Sequence, residues 1–241
     1  MTSPRSIAIV SAPVPDDLQE RIRQHLDIHI VPAGERIEDV VPADVRERTV
    51  ALLCTLRTAV KDSLFAALPN LRVVSNFAVG FDNVDLDAAT RAGVLVCNTP
   101  GVLDAAVADL TITMVLCLAR KVLPNDRFVR DGSWGKGAAP LASDLAGKTL
   151  GLLGMGRIGR MVAKRAKAFD MNVVYHNRRR DADSEQAGLA SYVARDLLFK
   201  SSDFVSVHVP LGPETKHSIG AREFSLMKPH AYFLNTSRGP V

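Results

Sequence analysis

The sequence predicts an α/β protein of two doubly wound domains, each built on a parallel sheet. Short apolar runs alternate with amphipathic segments along most of the chain, which is typical of βαβ units. In the second half, a glycine-rich turn lies between an apolar run and a helical pattern. The segment Asn98-Thr99-Pro100-Gly101 interrupts the alternation and indicates a hinge between the two domains.

Length and composition exclude several classes of protein. A chain of 241 residues with 47% apolar residues can bury sizeable cores. No apolar run reaches the ~20 residues of a membrane span, and the first residues lack the pattern of a secretory signal. The net charge of +4 is dispersed, apart from one arginine run, and does not suggest nucleic-acid binding. We therefore expect a cytoplasmic protein that has no metal site and three buried, reduced thiols, at Cys54, Cys97 and Cys117.

The first domain is predicted over residues 1–98. Its strands are apolar runs bounded by turn residues, and its helices lie between them. We expect strands at 7–10, 28–31, 50–54, 71–75 and 94–97, and helices at 15–26, 61–67 and 85–92. Gly93 tolerates the left-handed conformation and is expected to end the last of these helices. No phosphate-binding type of glycine loop follows the first strand.

Residues 99–144 are predicted to contain the hinge, one long helix and a connecting segment. The helix is expected at 102–120, with Thr99 or an adjacent residue as its N-cap. A more polar stretch at 125–139 contains Trp134. The helix is apolar over much of its surface, which suits a buried element or one that forms a homodimer.

The second domain, predicted over residues 145–241, starts with the unit that organises the chain. A buried strand at 149–153 leads into the sequence GMGRIG, and a helix and a second strand at 173–175 follow. The first glycine allows the tight turn, the second lets backbone approach a pyrophosphate, and the third lets helix pack on strand. This unit predicts a dinucleotide site at Gly154, Met155, Gly156, Arg157, Ile158 and Gly159.

The residues after the second strand of the unit indicate which dinucleotide binds. NAD sites usually place Asp or Glu there, about 20 residues beyond the glycine loop, to bind the ribose 2′-hydroxyl. Here Asn177 takes that place, and Arg178, Arg179 and Arg180 follow. A neutral amide does not repel a 2′-phosphate, and an arginine fork can bind one. The pattern favours NADPH and leaves NAD possible; a solvated basic loop is the alternative.

Further strands are expected near Tyr192 and at 204–209 and 232–235. Four stretches read together then resemble the D-isomer-specific 2-hydroxyacid dehydrogenase family, and within it the NADPH-using glyoxylate/hydroxypyruvate reductases. They are SNFAVGFD at 75–82, NTPG at 98–101 with its helix, the glycine unit, and NTSRG at 235–239. The resemblance implies a flavodoxin-like substrate domain and a Rossmann cofactor domain that is incomplete at its C-terminus.

The resemblance also implies site residues. Backbone N–H groups of Val79 and Gly80 would bind the substrate carboxylate, and glycine allows that close approach. Arg238 would be catalytic, binding the carboxylate and polarising the carbonyl that receives the hydride. Thr111 would face the nicotinamide, although a core-facing threonine is almost as good a reading. Further cofactor contacts are implied at His208, Val209, Pro210, Thr215, Thr236 and Ser237.

Family members carry two further catalytic groups after the arginine, a Glu and then a His that protonates the substrate oxygen. Neither follows Arg238 within these 241 residues. We expect either a fragment of a longer enzyme or a protein that has lost this pair, and the stop within a motif favours a fragment. His208 is predicted to be structural, and His176 to contact ribose or phosphate. The chain itself is therefore expected to bind cofactor and to turn over little.

The sequence thus predicts an oxidoreductase that transfers hydride from NADPH to a short 2-keto acid, in a cleft between domains. Two alternatives stay open. One is an NAD-dependent relative of the phosphoglycerate or D-lactate dehydrogenase type. The other is a non-catalytic, cofactor-sensing interaction module similar to the C-terminal-binding corepressors. The resemblance also implies a homodimer, and no nucleic-acid or membrane partner is expected.

Overall fold

The computed structural model describes residues 5–32 and 34–241, which form two compact units. Unit 1 is Met1–Val102 and unit 2 is Leu103–Val241. The division falls shortly after the predicted boundary at residue 98. The long helix of the predicted connecting segment belongs to the second unit. In the part of the chain that the structure describes, no helix is long and apolar enough to cross a bilayer.

Unit 1 is an α/β layer structure on one parallel sheet. The sheet order is β2-β1-β3-β4-β5, which is the flavodoxin-like order that the fold class predicted. Its strand β1, which lies between β2 and β3, is buried along its whole length, as expected when helices cover both faces of a parallel sheet. The elements are β1 (Ile7–Ser11), α1 (Asp16–Arg23), β2 (Asp27–Ile30), α2 (Ile37–Val40), α3 (Ala43–Arg48), β3 (Thr49–Cys54), α4 (Asp62–Ala67), β4 (Val73–Asn76), α5 (Leu86–Arg91) and β5 (Leu95–Cys97).

Unit 2 is a second parallel α/β structure. The sheet order is β10-β9-β6-β7-β8, so the chain reverses direction across the sheet at β6. This is the Rossmann arrangement, in which ligands bind at the carboxyl ends of the strands where the order reverses. The elements are α6 (Asp104–Ala119), α7 (Val122–Arg130), β6 (Thr149–Leu153), α8 (Arg157–Lys167), β7 (Asn172–His176), α9 (Ala182–Gln186), β8 (Ser191–Tyr192), α10 (Arg195–Ser201), β9 (Phe204–Val207), α11 (Ala221–Leu226) and β10 (Tyr232–Asn235).

Several local predictions were wrong. Helix α6 begins at Asp104, so Thr99 is not its cap, and within the described residues no side chain caps it. The polar stretch after it is partly the helix α7, whose Pro124 lies in the first turn, where proline is tolerated. Cys54 is buried as predicted, but Cys97 is exposed and Cys117 is half-buried. Gly93 does follow α5 with a φ of +67°, as the sequence predicts.

Candidate functional site

The turn between β6 and α8 has a geometry that only glycine allows at two positions. Gly154 has a φ of +108°, and a Cβ there would lie 2.7 Å from the carbonyl carbon and oxygen of His208. A Cβ on Gly159 would lie 2.3 Å from the carbonyl oxygen of Gly154. The turn is therefore packed against β9 on one side and against the first turn of α8 on the other.

The second glycine of the loop leaves open space instead. Among the described residues other than Gly156 and its two chain neighbours, no heavy atom lies within 4 Å of a Cβ built on Gly156. Gly156 is the N-cap of α8, so the N–H groups of the first helical turn point into this space with the positive end of the helix dipole. An open cradle of this kind fits a pyrophosphate, because backbone can approach the anion where a side chain would block it.

A cavity of about 1150 Å³ opens at the carboxyl ends of the strands in unit 2. Nine of the residues predicted to bind cofactor line it: Gly154, Gly156, Asn177, Arg178, Arg179, His208, Val209, Pro210 and Thr215. Its wall also contains Leu153, His176, Arg195, Gly212, Pro213, Glu214 and Ser218. Other predicted residues do not line it: Thr111, Met155, Arg157, Ile158, Gly159, Thr236 and Ser237. The cofactor roles of both groups stay predictions.

Asn177 connects the end of β7 to the glycine loop. Its Oδ1 accepts a hydrogen bond of 2.7 Å from the backbone N–H of Met155. The oxygen end of the amide is thereby used, and the Nδ2 end is the one available as a donor. Asn177 therefore holds the glycine loop through its Oδ1 and offers its Nδ2 as a donor at the edge of the cavity.

The three arginines after Asn177 do not share one environment. Arg178 donates from Nη1 to Oε2 of Glu214 at 2.7 Å, and Arg179 is exposed on the cavity wall. Arg180 instead donates to the carboxylate of Glu185, and its guanidinium lies 5.2 Å from the ring centroid of Tyr192. Only the first two arginines line the cavity, so the sequence hypothesis of a phosphate site near the arginine run applies to Arg178 and Arg179.

The first carboxylate after β7 is already paired. Asp181 is buried and receives two hydrogen bonds from Arg160, of 2.7 and 2.8 Å, and one of 2.6 Å from Ser184. Burial alone would raise the pKa of Asp181, but the bonds from Ser184 and Arg160 hold that pKa below its usual value. Asp181 is not part of the cavity wall. It therefore does not supply the acidic group that a ribose 2′-hydroxyl would use.

A chain of polar side chains runs from β9 to α6. His208 Nε2 lies 2.9 Å from Ser206 Oγ, and its Nδ1 lies 3.5 Å from Thr236 Oγ1. The hydroxyl of Thr236 lies 3.3 Å from that of Thr111, which also donates to the carbonyl of Val107. Burial lowers the pKa of His208 to about 4, so the ring is neutral at physiological pH. Thr111 is fully buried, as the alternative interpretation of this residue as a core-facing threonine expects.

Two charged residues of the cavity wall, Arg195 and Glu214, were not singled out in the sequence. Arg195 begins α10 and donates to the carbonyl of Ser218. Glu214 lies on the loop after β9. The available signal was their position, since polar residues in loops beyond the carboxyl ends of parallel strands face the ligand site. His176 also lines the cavity, and its Nδ1 lies 3.0 Å from the carbonyl of Val193.

Arg157 is held by a residue that sequence reasoning missed. Its Nε donates to Oδ2 of Asp104 at 2.9 Å, and the Asp104 side chain is 6% exposed. A carboxylate this buried needs a charged partner. The pair joins the first turns of α6 and α8, which fixes the start of the helix that carries the glycine loop.

The predicted substrate loop of unit 1 is fixed by asparagine side chains. Asn76 donates to the carbonyl of Gly80, and Asn98 donates to the carbonyl of Val79, both at 2.8 Å. The backbone N–H groups of Val79 and Gly80 donate no hydrogen bond to any acceptor among the described residues. Cys54 lies under the loop and donates to Asn76; burial raises the pKa of Cys54 to about 12, so it stays a thiol.

The loop after β10 carries Arg238. Asn235 accepts from the N–H and the hydroxyl of Ser237 at 2.9 Å, and donates to the carbonyl of Arg238 at 2.8 Å. This turn, built on one side chain, fixes the backbone on both sides of the arginine. Arg238 is half-buried at the carboxyl end of the sheet of unit 2, and its Nη1 donates to the carbonyl of Ser237 at 3.0 Å.

Comparison with known proteins identifies the family. Residues 112–241, more than half of the chain, match the family described as D-isomer specific 2-hydroxyacid dehydrogenase, NAD binding domain. The chain belongs to the D-isomer specific 2-hydroxyacid dehydrogenase family. The resemblance predicted from the four sequence stretches is thereby confirmed, and the second unit is the family's nicotinamide dinucleotide domain.

Individual relatives are similar over nearly the whole chain. A glyoxylate reductase from Thermococcus litoralis is 44% identical over 216 residues, which are 87% of this chain and 63% of that protein. The crystal structure of a glyoxylate reductase from Paecilomyes thermophila has a TM-score of 0.88 and 32% identity, over 98% of this chain and 75% of that one. A D-lactate dehydrogenase from Aquifex aeolicus, complexed with NAD and lactic acid, has a TM-score of 0.88 and 29% identity, over 98% and 70%. The chain thus spans about two thirds to three quarters of the length of these family members.

Proposed function

We propose that the protein transfers hydride from NADPH to a short 2-keto acid of the glyoxylate or hydroxypyruvate type, giving the D-2-hydroxy acid. The observation that carries the proposal is the make-up of the unit 2 cavity. An open glycine cradle lies at one part of its wall, and an amide donor and two guanidinium groups lie at another. Family membership and the similarity to glyoxylate reductases support the same reaction class.

The NADPH preference rests on the donors at the end of β7. Asn177 uses its oxygen on the loop, which leaves its Nδ2 for an acceptor such as a phosphate oxygen. Arg178 and Arg179 are exposed on the same wall and can provide charge-assisted hydrogen bonds. Asp181, the first acidic residue after Asn177 along the chain, is committed to Arg160. The 2′-phosphate of NADPH can therefore accept hydrogen bonds from Asn177, Arg178 and Arg179, whereas the uncharged 2′-hydroxyl of NADH gains less from these donors.

Substrate binding is assigned to backbone and guanidinium donors. The N–H groups of Val79 and Gly80, which donate to no acceptor among the described residues, suit a carboxylate, because adjacent backbone donors form an anion site. Arg238 of unit 2 is proposed to bind a substrate carboxylate and to stabilise the negative charge that develops on the carbonyl oxygen. Bound NADPH supplies the hydride, and the protein supplies orientation and charge.

No proton donor for that oxygen is assigned to the cavity. His208 is neutral at physiological pH and hydrogen-bonded to Ser206 and Thr236, so it is a poor general acid. We propose that the cavity binds NADPH and that a group outside its wall performs this protonation.

Removal of Arg238 tests the proposed function. In the complete gene product, Arg238→Gln is expected to lower kcat/KM for glyoxylate about 100- to 1000-fold, because one preorganised donor to the developing oxyanion is lost. NADPH affinity should be unchanged. Steady-state oxidation of NADPH, with Arg130→Gln as a surface control (Arg130 pairs with Asp126 on α7), gives the comparison. A variant that retains wild-type kcat/KM would show that Arg238 does not act on the substrate.

An NAD-dependent activity is the second candidate. The similarity to a D-lactate dehydrogenase that was crystallised with NAD and lactic acid favours it. Against it stands the absence of an acidic residue at position 177, where Asn177 occurs. The two candidates differ in one observable, the ratio of NADPH to NADH affinity.

We also propose that a second copy of the chain covers an apolar surface of unit 2. Five large apolar side chains from α6 to the start of β6 are more than half exposed: Leu110, Leu123, Val129, Trp134 and Leu141. Exposed apolar surface commonly marks an interface when it forms a contiguous patch. Leu123→Glu is expected to convert a dimer into monomer on size-exclusion chromatography with light scattering. Leu197→Glu, on the exposed face of α10, is the control; a dimer that survives Leu123→Glu would contradict the assignment.

A further inference from the structure

An ion pair spans two segments of the unit 2 cavity wall. Arg178, just after β7, donates from Nη1 to Oε2 of Glu214 at 2.7 Å. Glu214 belongs to the segment between β9 and α11. Both residues line the cavity, and their side chains are 85% and 70% exposed. The proposed 2′-phosphate partner Arg178 is therefore bound to a carboxylate in the free protein.

The Glu214 segment holds its shape without this ion pair. Thr215 Oγ1 accepts a hydrogen bond of 2.9 Å from the N–H of Gly212 and donates one of 2.5 Å to the carbonyl of Pro210. These bonds close a compact turn around Glu214. Because the turn does not depend on Arg178, the Glu214 carboxylate stays on the cavity wall when Arg178 changes partner.

We propose that Glu214 is a specificity-determining residue that weakens binding of the cofactor's 2′-phosphate. This inference rests on the proposed NADPH-dependent function. Glu214 weakens binding of the 2′-phosphate in two ways: it competes with the phosphate for Arg178, and its negative charge repels the phosphate. A 2′-hydroxyl carries no charge, so NADH binding avoids both effects. Glu214 thus narrows the affinity gap between NADPH and NADH.

The size of the effect follows from charge and exposure. An exposed ion pair stabilises little in water, so the competition for Arg178 is weak. The phosphate carries nearly two negative charges, and the repulsion over several ångströms of high-dielectric surroundings adds a modest amount. Together these give an expected change of about fivefold in affinity. Since both are interactions between exposed charges, the effect should shrink as salt screens them.

The test is cofactor affinity of the 241-residue chain with Glu214→Gln, which keeps the shape and removes the charge. Kd values for NADPH and NADH are measured by nicotinamide fluorescence at low and high salt. We expect about fivefold tighter NADPH binding at low salt, a smaller gain at high salt, and NADH binding within twofold of wild type. Asp144→Asn is the matched control, because it removes one carboxylate from an exposed pair with Arg120, 2.8 Å long, that lies outside the cavity wall.

The arginine variant separates the two ways in which Glu214 acts. In an Arg178→Gln background, Glu214→Gln should still tighten NADPH binding, but by less than in wild type, because only the repulsion remains. If wild type prefers NADPH while Glu214→Gln leaves NADPH affinity unchanged or weakens it, the inference is wrong and the proposed function stands. If wild type shows no preference for NADPH, the proposed cofactor and the inference both fail.

Discussion

Asn177→Asp is expected to weaken NADPH binding about 100-fold and to leave NADH binding equal or slightly stronger. The new carboxylate can still accept the hydrogen bond that Met155 now gives to Asn177, so the glycine loop should keep its shape. The amide donor, however, is replaced by a negative charge beside the proposed phosphate position. The loss of a donor and the added repulsion both act against the phosphate, whereas a ribose hydroxyl can donate to the new group. Fluorescence titration with both cofactors measures the change.

The arginine run provides an internal control for this prediction. Arg178→Gln and Arg179→Gln should each weaken NADPH binding about tenfold, as expected for one lost charge-assisted hydrogen bond. Arg180→Gln should leave it unchanged, because Arg180 pairs with Glu185 and Tyr192 outside the cavity wall. Equal losses from all three variants would mean that net charge, not a specific site, governs affinity.

Gly154→Val is expected to destabilise unit 2 by about 3–5 kcal/mol and to abolish cofactor binding. Its φ of +108° is unfavourable for any residue with a Cβ, and that atom would lie 2.7 Å from the backbone of His208. The end of β6 would have to move away from β9, which breaks the edge of the cavity. Urea denaturation and cofactor titration measure the two effects.

Gly156→Ala, in contrast, should leave the stability of unit 2 nearly unchanged and weaken only cofactor binding. Its φ of −84° suits alanine, and the space around its Cβ is open within the described part of the chain. Stability should therefore change by less than about 1 kcal/mol, whereas the methyl group occupies the space proposed for the pyrophosphate and should weaken binding of both cofactors. Unchanged cofactor binding in Gly156→Ala would remove the pyrophosphate from this cradle.

The sequence predicted those features that depend on short, local patterns. The strand, glycine turn and helix from Thr149 to Lys167 follow from one apolar run, three glycines and helical spacing. The two parallel sheets follow from alternating strands and helices, whereas their flavodoxin-like and Rossmann types were implied by the family resemblance. Asn177 was placed near the cavity because the end of the second strand has a fixed position in this fold.

The remaining features depend on contacts between residues distant in sequence. Helices α2 and α9 have only four and five residues, too few for a periodic pattern. Arg180 turns away from the cavity because α9 and β8 place Glu185 and Tyr192 beside it. Arg157 is held by Asp104, 53 residues earlier. Such pairings arise only once the units have folded, so the three arginines looked equivalent in the sequence.

The most direct test of the proposed site is the ratio of NADPH to NADH affinity in the unmodified chain. Isothermal titration calorimetry of the 241-residue protein with each cofactor, at the same salt concentration, gives both dissociation constants. The arrangement of Asn177, Arg178 and Arg179 predicts that NADPH binds at least about tenfold more tightly than NADH. Equal affinities, or tighter binding of NADH, would contradict the assignment of these three residues to a 2′-phosphate.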